Sequence, residues 1–501
     1  MAIRTSPLGS KLRPKQPESS NLTKGNKARF LKEFSASLNE GNGAIFVGAG
    51  VSMAAGYPSW SKLLHEIGEE LGVHSGDIQD LAALAQWSIV ETGNSTRILN
   101  VIKEQIGKDY EVPAALEVIA RLPVRHIWTT NYDRLIERAF SAINRPIDTV
   151  SGAAALSLKP MVGATRLYKM HGSIERPDDI VISTDDYELY RRKRGAFLPL
   201  LEAQLTGMSM LFIGLSLTDP NVRHVLSLIR ESFTDAPPEH FAIVRPPQKD
   251  DFKTESEFAV RAAQHKLWAK DLRRYGLIVV EINDYNDVPE LLTQLERHVA
   301  SRRVWVSGSW PIDAGGKEAA LIHDIAERLG RWIATSGRDL VSGSGLLVGS
   351  AAISGFFDAM RAGGAWDLDR RLIVRPFPQP LEGKLPNREQ WTAIRHELAR
   401  QAGVVIFVGG SKIDGGKIVT AAGVLEEYEI AKANGAFLLP VGSTGGAAKE
   451  IAEKLIGSDI SDSGPERQRP TDNELATLLK NDIDPAQLVE IIDEIVKALA
   501  T

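Results

Sequence analysis

The strongest constraint on the fold is an alternation that runs along the chain: short apolar, β-rich runs, each closing on a glycine or polar turn and each followed by a helical or polar stretch. Such runs, separated by helical spacers, bury themselves as a mostly parallel sheet with helices on both faces. One set stands at 44–47, 125–129, 166–170, 210–214, 240–244 and 277–282. Near residue 300 the pattern restarts with Arg303-Val-Trp-Val-Ser-Gly-Ser309, and a second set follows at 304–306, 339–341, 371–374, 403–408 and 436–441. The expected fold class is therefore α/β, with two domains at 28–297 and 302–501, each a mostly parallel sheet with flanking helices. A length of 501 residues is too great for one hydrophobic core and fits this division. Residues 60–107 carry apolar positions at helical spacing, as in Leu63-Leu64-Ile67-Leu71, and read as a helical insertion. The polar loop 458–470 precedes two closing helices, at 471–479 and 485–500.

Composition narrows the function classes. Fifty-nine basic against 64 acidic side chains leave a net charge of −5, so charge gives no footprint for nucleic acid or a membrane surface. No apolar run reaches a membrane span and the N-terminus lacks the apolar core of a secretory signal, so the expectation is a soluble cytoplasmic protein. Residues 1–27, rich in Ser, Pro, Lys and Arg, have the composition of a transit peptide, but their prolines break an amphipathic helix and a disordered tail is expected instead. With no cysteine at all, disulfides, zinc ribbons and thiolate nucleophiles are excluded, and no metal site is expected.

The chemistry-bearing residues stand at strand ends. The first strand delivers Gly48-Ala49-Gly50-Val51-Ser52 into a helix start, where backbone N–H groups suit an anionic oxygen. Thr130-Asn131-Tyr132-Asp133 follows the second strand, His171-Gly172 the strand at 166–170, and Gly214-Leu215-Ser216 the strand at 210–214. Taken singly each has a plain explanation, since Asn, Asp and Gly favour turns and a lone His is usually structural. In this order, and over about 28–297, the segments resemble the sirtuin family, in the subclass found in bacterial defence proteins. The resemblance implies a Rossmann-like domain that uses NAD+ as substrate, with Gly48, Ala49, Gly50 and Ser52 at the pyrophosphate and Asn131 and Asp133 near the nicotinamide ribose. Ser216 would lie on the adenosine side, Asn283 at the adenine end, and His171 would be the catalytic base.

Two departures from the deacylating sirtuins bear on the reaction. Their four-cysteine zinc module is absent, and Gly56-Tyr57-Pro58-Ser59-Trp60 stands where they have a Pro-Asp-Phe-Arg stretch over the nicotinamide. Both favour NAD+ hydrolysis over deacylation of protein lysines. Cleaving the nicotinamide–ribose bond releases a neutral leaving group and leaves an oxocarbenium-like centre. The reaction thus needs positioning, an orienting amide such as Asn131 and a base near neutrality such as His171 rather than a strong acid. No cofactor besides the NAD+ substrate is expected.

The second domain offers Ser307-Gly308-Ser309 and Gly409-Gly410-Ser411-Lys412 at strand ends, with Arg395 on the preceding helix and Glu427 on the following one. Arg395 and Glu427 also fit as solvated helix charges. With Glu426-Glu427-Tyr428-Glu429, these motifs resemble the SLOG family of Rossmann-like nucleotide-sensing modules. A sirtuin-like domain followed by a SLOG domain is similar to the Thoeris A effectors of bacterial anti-phage defence. In that family a TIR-domain partner makes a cyclic ADP-ribose isomer, the SLOG domain binds it, a tetramer or higher homo-oligomer rearranges, and NAD+ is destroyed in an abortive infection. The resemblance assigns Ser307, Gly308, Arg395, Gly409, Lys412 and Glu427 to the effector, whose pyrophosphate suits Arg and Lys and whose ribose hydroxyls suit Glu. Three alternatives stay open: a non-enzymatic nucleotide sensor, an NAD-dependent protein deacylase or ADP-ribosyltransferase, and a SLOG domain that is itself a nucleotide phosphoribohydrolase. The insertion at 60–107 reads equally as a lid and as an inter-subunit surface.

Overall fold

The computed structural model describes residues 19–500 apart from 74–77, 79, 216–221, 225, 228–229, 231–237, 313–315, 365–366, 379–385 and 464–466. Contacts divide the chain into two compact units. One comprises Met1–Phe34, Ala44–Pro113 and Arg125–Val288, the other Ser35–Gly43, Ala114–Val124 and Pro289–Thr501.

The first unit is built on seven strands, β1 (Gly43–Val47), β2 (His126–Thr129), β3 (Ile147–Val150), β4 (Thr165–Lys169), β5 (Ser209–Ile213), β6 (His240–Val244) and β7 (Leu277–Glu281), in the order β3-β4-β2-β1-β5-β6-β7. The resolved pairings are parallel, and β1, β2 and β4 run in register through Val47↔Thr129 and Thr129↔Lys169. Strand order changes direction at β1, which has β2 on one side and β5 on the other, the place where open parallel sheets gather ligands. Phe46, Trp128, Tyr168 and Phe212 on one face pack with Phe197, Leu201 and Leu205 of the helix Phe197–Gly207. The described residues of 60–107 hold the helices Trp60–Leu63, His65–Glu70, Leu81–Thr92 and Thr96–Ile106.

Two features depart from the pattern read in the sequence. The first helix spans Ser19–Glu40 and so enters the stretch expected to be a tail. The last proline of that stretch is Pro17, so nothing after it removes a helical N–H, and Asn26 anchors the turn by donating to the Val279 carbonyl at 2.9 Å. Strand β3 was not anticipated, because Ile147-Asp-Thr-Val150 lacks a continuous apolar run and stands at the sheet edge, where full burial is not required.

The second unit has five parallel strands, β8 (Arg303–Ser309), β9 (Asp339–Ser342), β10 (Leu372–Val374), β11 (Val404–Gly409) and, after a hairpin, β14 (Phe437–Val441), in the order β10-β9-β8-β11-β14. The hairpin pairs β12 (Ser411–Asp414) with β13 (Lys417–Thr420) and escaped notice in the sequence because it is polar and mostly exposed. Successive residues of β8 and β11 serve opposite faces: Val304, Val306, Ile406 and Val408 meet Leu329, Phe356 and Ile492, while Trp305, Val405 and Phe407 meet Leu398, Tyr428 and Ile451. Burial on both faces is why these runs are continuously apolar.

The helices Gly316–Thr335 and Val348–Ala362 cross at glycines. A Cβ on Gly330 would stand 1.9 Å from the Ala352 carbonyl oxygen, and one on Gly355 1.9 Å from that of Glu327. Backbone meets backbone there, so no side chain can yield. Gly355→Ala is expected to destabilise the protein by about 1–3 kcal/mol from overpacking, outweighing the gain of roughly 1 kcal/mol in helix propensity. A urea unfolding midpoint at or above the wild-type value would show that the helices separate freely.

Candidate functional site

At the end of β1 the chain turns through Gly48 into the short helix Ala49–Ala54. The glycines there answer first to the neighbouring turn. Gly48 N–H donates to the Ile213 carbonyl and Gly50 N–H to that of Gly214, both at 2.8 Å. A Cβ on Gly48 would lie 2.4 Å from the Gly214 oxygen, and Gly214 itself sits at φ +65° with its would-be Cβ 2.8 Å from the Val51 nitrogen. Two of the amides expected to face a pyrophosphate are thus engaged within the protein, and Ala49, exposed at the first helical position, is left at the mouth of the turn.

A hydrogen-bonded chain ties this turn to the end of β2. Thr129 Oγ1 donates to the Val47 carbonyl at 2.8 Å and accepts from Asn131 N–H at 3.0 Å. Asn131 Nδ2 then donates to the Gly48 carbonyl at 3.0 Å and to Ser52 Oγ at 2.8 Å, and Ser52 Oγ donates to Asp133 Oδ2 at 2.6 Å. Both amide hydrogens of Asn131 are consumed. Its Oδ1 is buried with no hydrogen-bond partner among the described residues, an acceptor with unused capacity.

His171 comes to the same edge through register. Thr129 pairs with Lys169, so two residues further on Asn131 and His171 leave adjacent strands at one level. The imidazole is buried and meets Tyr187 edge-on at 5.5 Å and Tyr190 at 6.3 Å. Its backbone is held by Val181 N–H donating to the His171 carbonyl at 2.9 Å and by Gly172 at φ +92°, where a Cβ would stand 2.6 Å from the Asp179 oxygen. The buried Arg194 secures that loop through Ser151 at 2.6 Å and the Asp179 carboxylate at 2.7 Å.

Gly48, Ala49, Gly50, Ser52, Asn131, Asp133 and His171 therefore gather where β1, β2 and β4 end. Asn283 does not join them: it is exposed after β7, three strand positions from β1, roughly 14 Å across the sheet. Ser216 lies outside the described residues. Tyr57 was quoted in the sequence without a role. Its hydroxyl donates to the Lys108 carbonyl at 2.6 Å, its ring meets Tyr110 edge-on at 4.6 Å, and burial together with the Asp133 and Asp109 carboxylates pushes its pKa up to about 12. It fixes the segment after Ser52, and the positive φ of Gly56 beside Tyr110 is the local reason the chain turns there.

In the second unit Ser307, Gly308, Arg395 and Glu427 come together at the end of β8. Ser307 Oγ donates to Glu427 Oε2 at 2.5 Å, and Arg395 Nε stands 3.5 Å from Glu427 Oε1. Arg395 Nη1 also donates to Glu426 at 2.9 Å, while Thr392 Oγ1 donates to the other oxygen of Glu426 at 2.5 Å. The guanidinium packs over Phe377 and Trp391, 5.2 and 5.9 Å from the ring centroids. Gly423 leaves room for it, since a Cβ there would lie 2.6 Å from Nη2. Arg395 and Glu427 are both buried, which removes the reading of them as solvated helix charges. Gly409 N–H donates to Thr444 Oγ1 at 2.7 Å and Gly409 pairs with Ser309, placing its turn beside the same strand end. Lys412 stands apart on the hairpin, half exposed, 3.9 Å from Asp414. Glu426, Thr392 and the two aromatics were not expected at this site, and neither was the turn 343–347, where Ser344 and Leu347 take positive φ and Gly345 abuts the Gly308 carbonyl. The glycine-rich Ser342-Gly-Ser-Gly-Leu346 was the available signal.

Residues 125–268 match the SIR2-like domain family, and residues 287–499 match the Sir2- and TIR-associating SLOG family. The protein is accordingly a sirtuin-like domain joined to a SLOG domain, two α/β units. It is 34% identical to the NAD(+) hydrolase ThsA of Bacillus cereus (strain MSX-D12), over 85% of this chain and 89% of that protein. It is 32% identical to the NAD(+) hydrolase ThsA of Enterococcus faecium, over 93% of this chain and 98% of that protein. A defense-associated sirtuin 2 of Bacillus subtilis is 26% identical over 42% of this chain and 21% of its own length. The chain belongs to the ThsA family. Among the described residues no helix is long and apolar enough to cross a membrane.

Burial raises the Glu427 pKa to about 7, opposed by the Ser307 hydroxyl and the Arg395 charge. Its folded value thus lies above the ordinary carboxylate value, and the folded chain holds a proton that the unfolded chain has lost between about pH 4.5 and 7. Stability contributed by this group therefore falls as pH rises through that window. Glu427→Gln, always neutral, is expected to show a flatter decline than the wild type there. Identical pH profiles of the urea midpoint would mean that Glu427 is ionised throughout.

Proposed function

We propose that the first unit hydrolyses NAD+ to nicotinamide and ADP-ribose at the Asn131–His171 edge. The observation that carries this reading is the state of Asn131: both amide hydrogens are spent on Gly48 and Ser52, and the buried Oδ1 keeps its lone pairs for an incoming donor. A ribose hydroxyl or the attacking water is a donor of that kind. His171, at the same level on the next strand, is the base that takes a proton from water as it adds to the oxocarbenium-like carbon left when nicotinamide departs. The turn around Ala49 holds the unreacting diphosphate, whose binding energy is available at the reacting carbon. The relatives named NAD(+) hydrolase support the reaction, and the absence of cysteine argues against the zinc-dependent deacylase.

The second unit, in this reading, binds a cyclic ADP-ribose isomer made by a TIR-domain protein and thereby switches on the hydrolase in a homotetrameric or larger cytoplasmic assembly during phage infection. Ser307, Gly308, Arg395, Gly409 and Glu427 form the site, and Lys412, on the exposed hairpin that follows Gly409, is a charge the ligand would have to draw in. As it stands, Arg395 is neutralised by Glu426 and Glu427, so a pyrophosphate must compete with two carboxylates for it. A ligand that wins this competition binds one arrangement of the site better than the other, which is what a switch requires.

The test is chromatographic measurement of nicotinamide released from NAD+ with and without a panel of cyclic ADP-ribose isomers. Asn131→Ala and His171→Ala should each lower release by about 100-fold or more, the usual worth of a positioned base or orienting group. Arg395→Ala should no longer respond to the isomer that stimulates the wild type. Undiminished release by His171→Ala would remove it from the reaction, and no release under any condition would favour a nucleotide sensor.

A further inference from the structure

Lys169 is the last residue of β4 and is 1% exposed. A buried ammonium persists only where hydrogen bonds and an opposite charge replace its water. Here Nζ donates to Glu137 Oε1 at 2.9 Å and to the Asp133 carbonyl, and lies 3.4 Å from the Tyr132 carbonyl. Tyr132 and Asp133 stand beyond the end of β2, in the turn that also carries Asn131, where the strand ladder no longer fixes the backbone. Their only regular tie to the His171 loop among the described backbone bonds is Ile174 N–H donating to the Tyr132 carbonyl at 2.9 Å. The Tyr132 hydroxyl adds a side-chain tie by donating to the Val181 carbonyl at 2.7 Å, and Lys169 supplies a further one, the one that grips the turn's own carbonyls, from a residue paired in register with Thr129 and two positions before His171. Glu137, on the helix Leu135–Ala142 that follows the turn, balances the charge so that no net cation faces a reacting carbon that itself turns positive.

We infer that Lys169, with Glu137 as its counter-ion, is a positioning residue for NAD+ cleavage: it holds the Asn131–Asp133 turn at the height of His171. The inference rests on the reading of that edge as the NAD+ site. Lys169 is too buried to touch substrate, and its effect is on alignment, to which cleavage is sensitive at the scale of about 1 Å.

The experiment uses the full-length protein, NAD+, and the cyclic ADP-ribose isomer giving the greatest nicotinamide release from the wild type, or none if release needs none. Lys169→Met/Glu137→Gln removes both charges at nearly constant volume, so no lone buried ion is left. The expected result is an unchanged melting temperature, an unchanged KM for NAD+ and a kcat lower by about 10- to 100-fold. Lys169→Arg is the second variant, because its planar fork reaches Glu137 but cannot set one nitrogen against both carbonyls. It should lower kcat at constant KM and melting temperature, and it decides the matter if the double variant does not fold. Wild-type kcat in a folded variant overturns the inference, as does a loss of activity that only follows the loss of folded protein. His171→Ala is run beside them. If it is inactive while the Lys169 variants keep full kcat, the positioning role fails alone. If it is as active as the wild type, the reading of the site fails and the inference falls with it.

Discussion

The turns that leave β1 and β5 touch backbone to backbone, and the first site depends on that contact. Gly48 and Gly50 donate to the carbonyls of Ile213 and Gly214 because none of the three glycines carries a Cβ to hold the turns apart. The close approach sets the direction of the Gly48 carbonyl, which in turn accepts from Asn131 and so fixes the amide that orients Ser52 and, through it, Asp133. A phosphate-binding look in the sequence therefore conceals a second requirement. The glycines allow neighbouring turns to meet, and only the part of the loop left over is available to a ligand.

The two units solve a similar problem with different chemistry. In the first, a neutral amide and an imidazole are placed by strand register, and charge is kept balanced by the buried Lys169–Glu137 pair. In the second, the strand end is built from charge. Glu427 is buried against Ser307 and Arg395, and the arginine is shared with Glu426 over an aromatic bed of Phe377 and Trp391. In the proposed reading, a neutral, preset site suits a reaction whose leaving group is uncharged, and a self-neutralised ionic site suits a switch whose resting state is displaced by an anion.

Much of this was legible before any coordinates. The sheet strands other than β3 fall on the apolar runs, and the candidate residues of the first unit's edge stand at strand ends, while in the second unit Arg395 and Glu427 reach the end of β8 from helices. What escaped notice shares a physical character. Strand β3 and the β12–β13 hairpin are edge or surface elements whose residues need not be apolar, so periodicity carries little information about them. Asn283, which the resemblance put at the adenine end of the ligand, stands beyond the edge strand β7, apart from the residues gathered at β1, β2 and β4, a separation that chain order alone does not reveal. Lys169, within the strand at 166–170, and Glu426, beside Glu427, drew no role from the sequence, because a charged residue there looks the same whether it faces water or is buried.

The sequence by itself determined the chemical inventory: glycines at strand ends, an asparagine and a histidine after neighbouring strands, an arginine and a glutamate flanking a second glycine loop, and no thiol for zinc. These are properties of residue type and local order, which short-range sterics impose on any parallel α/β chain. Only the tertiary structure decided which donors and acceptors remain available. Asn131 meets Gly48 across 83 positions of sequence and Ser307 meets Glu427 across 120. Hydrogen bonds saturate, so whether an amide or carboxylate is free for a ligand depends on the partner that folding brings to it.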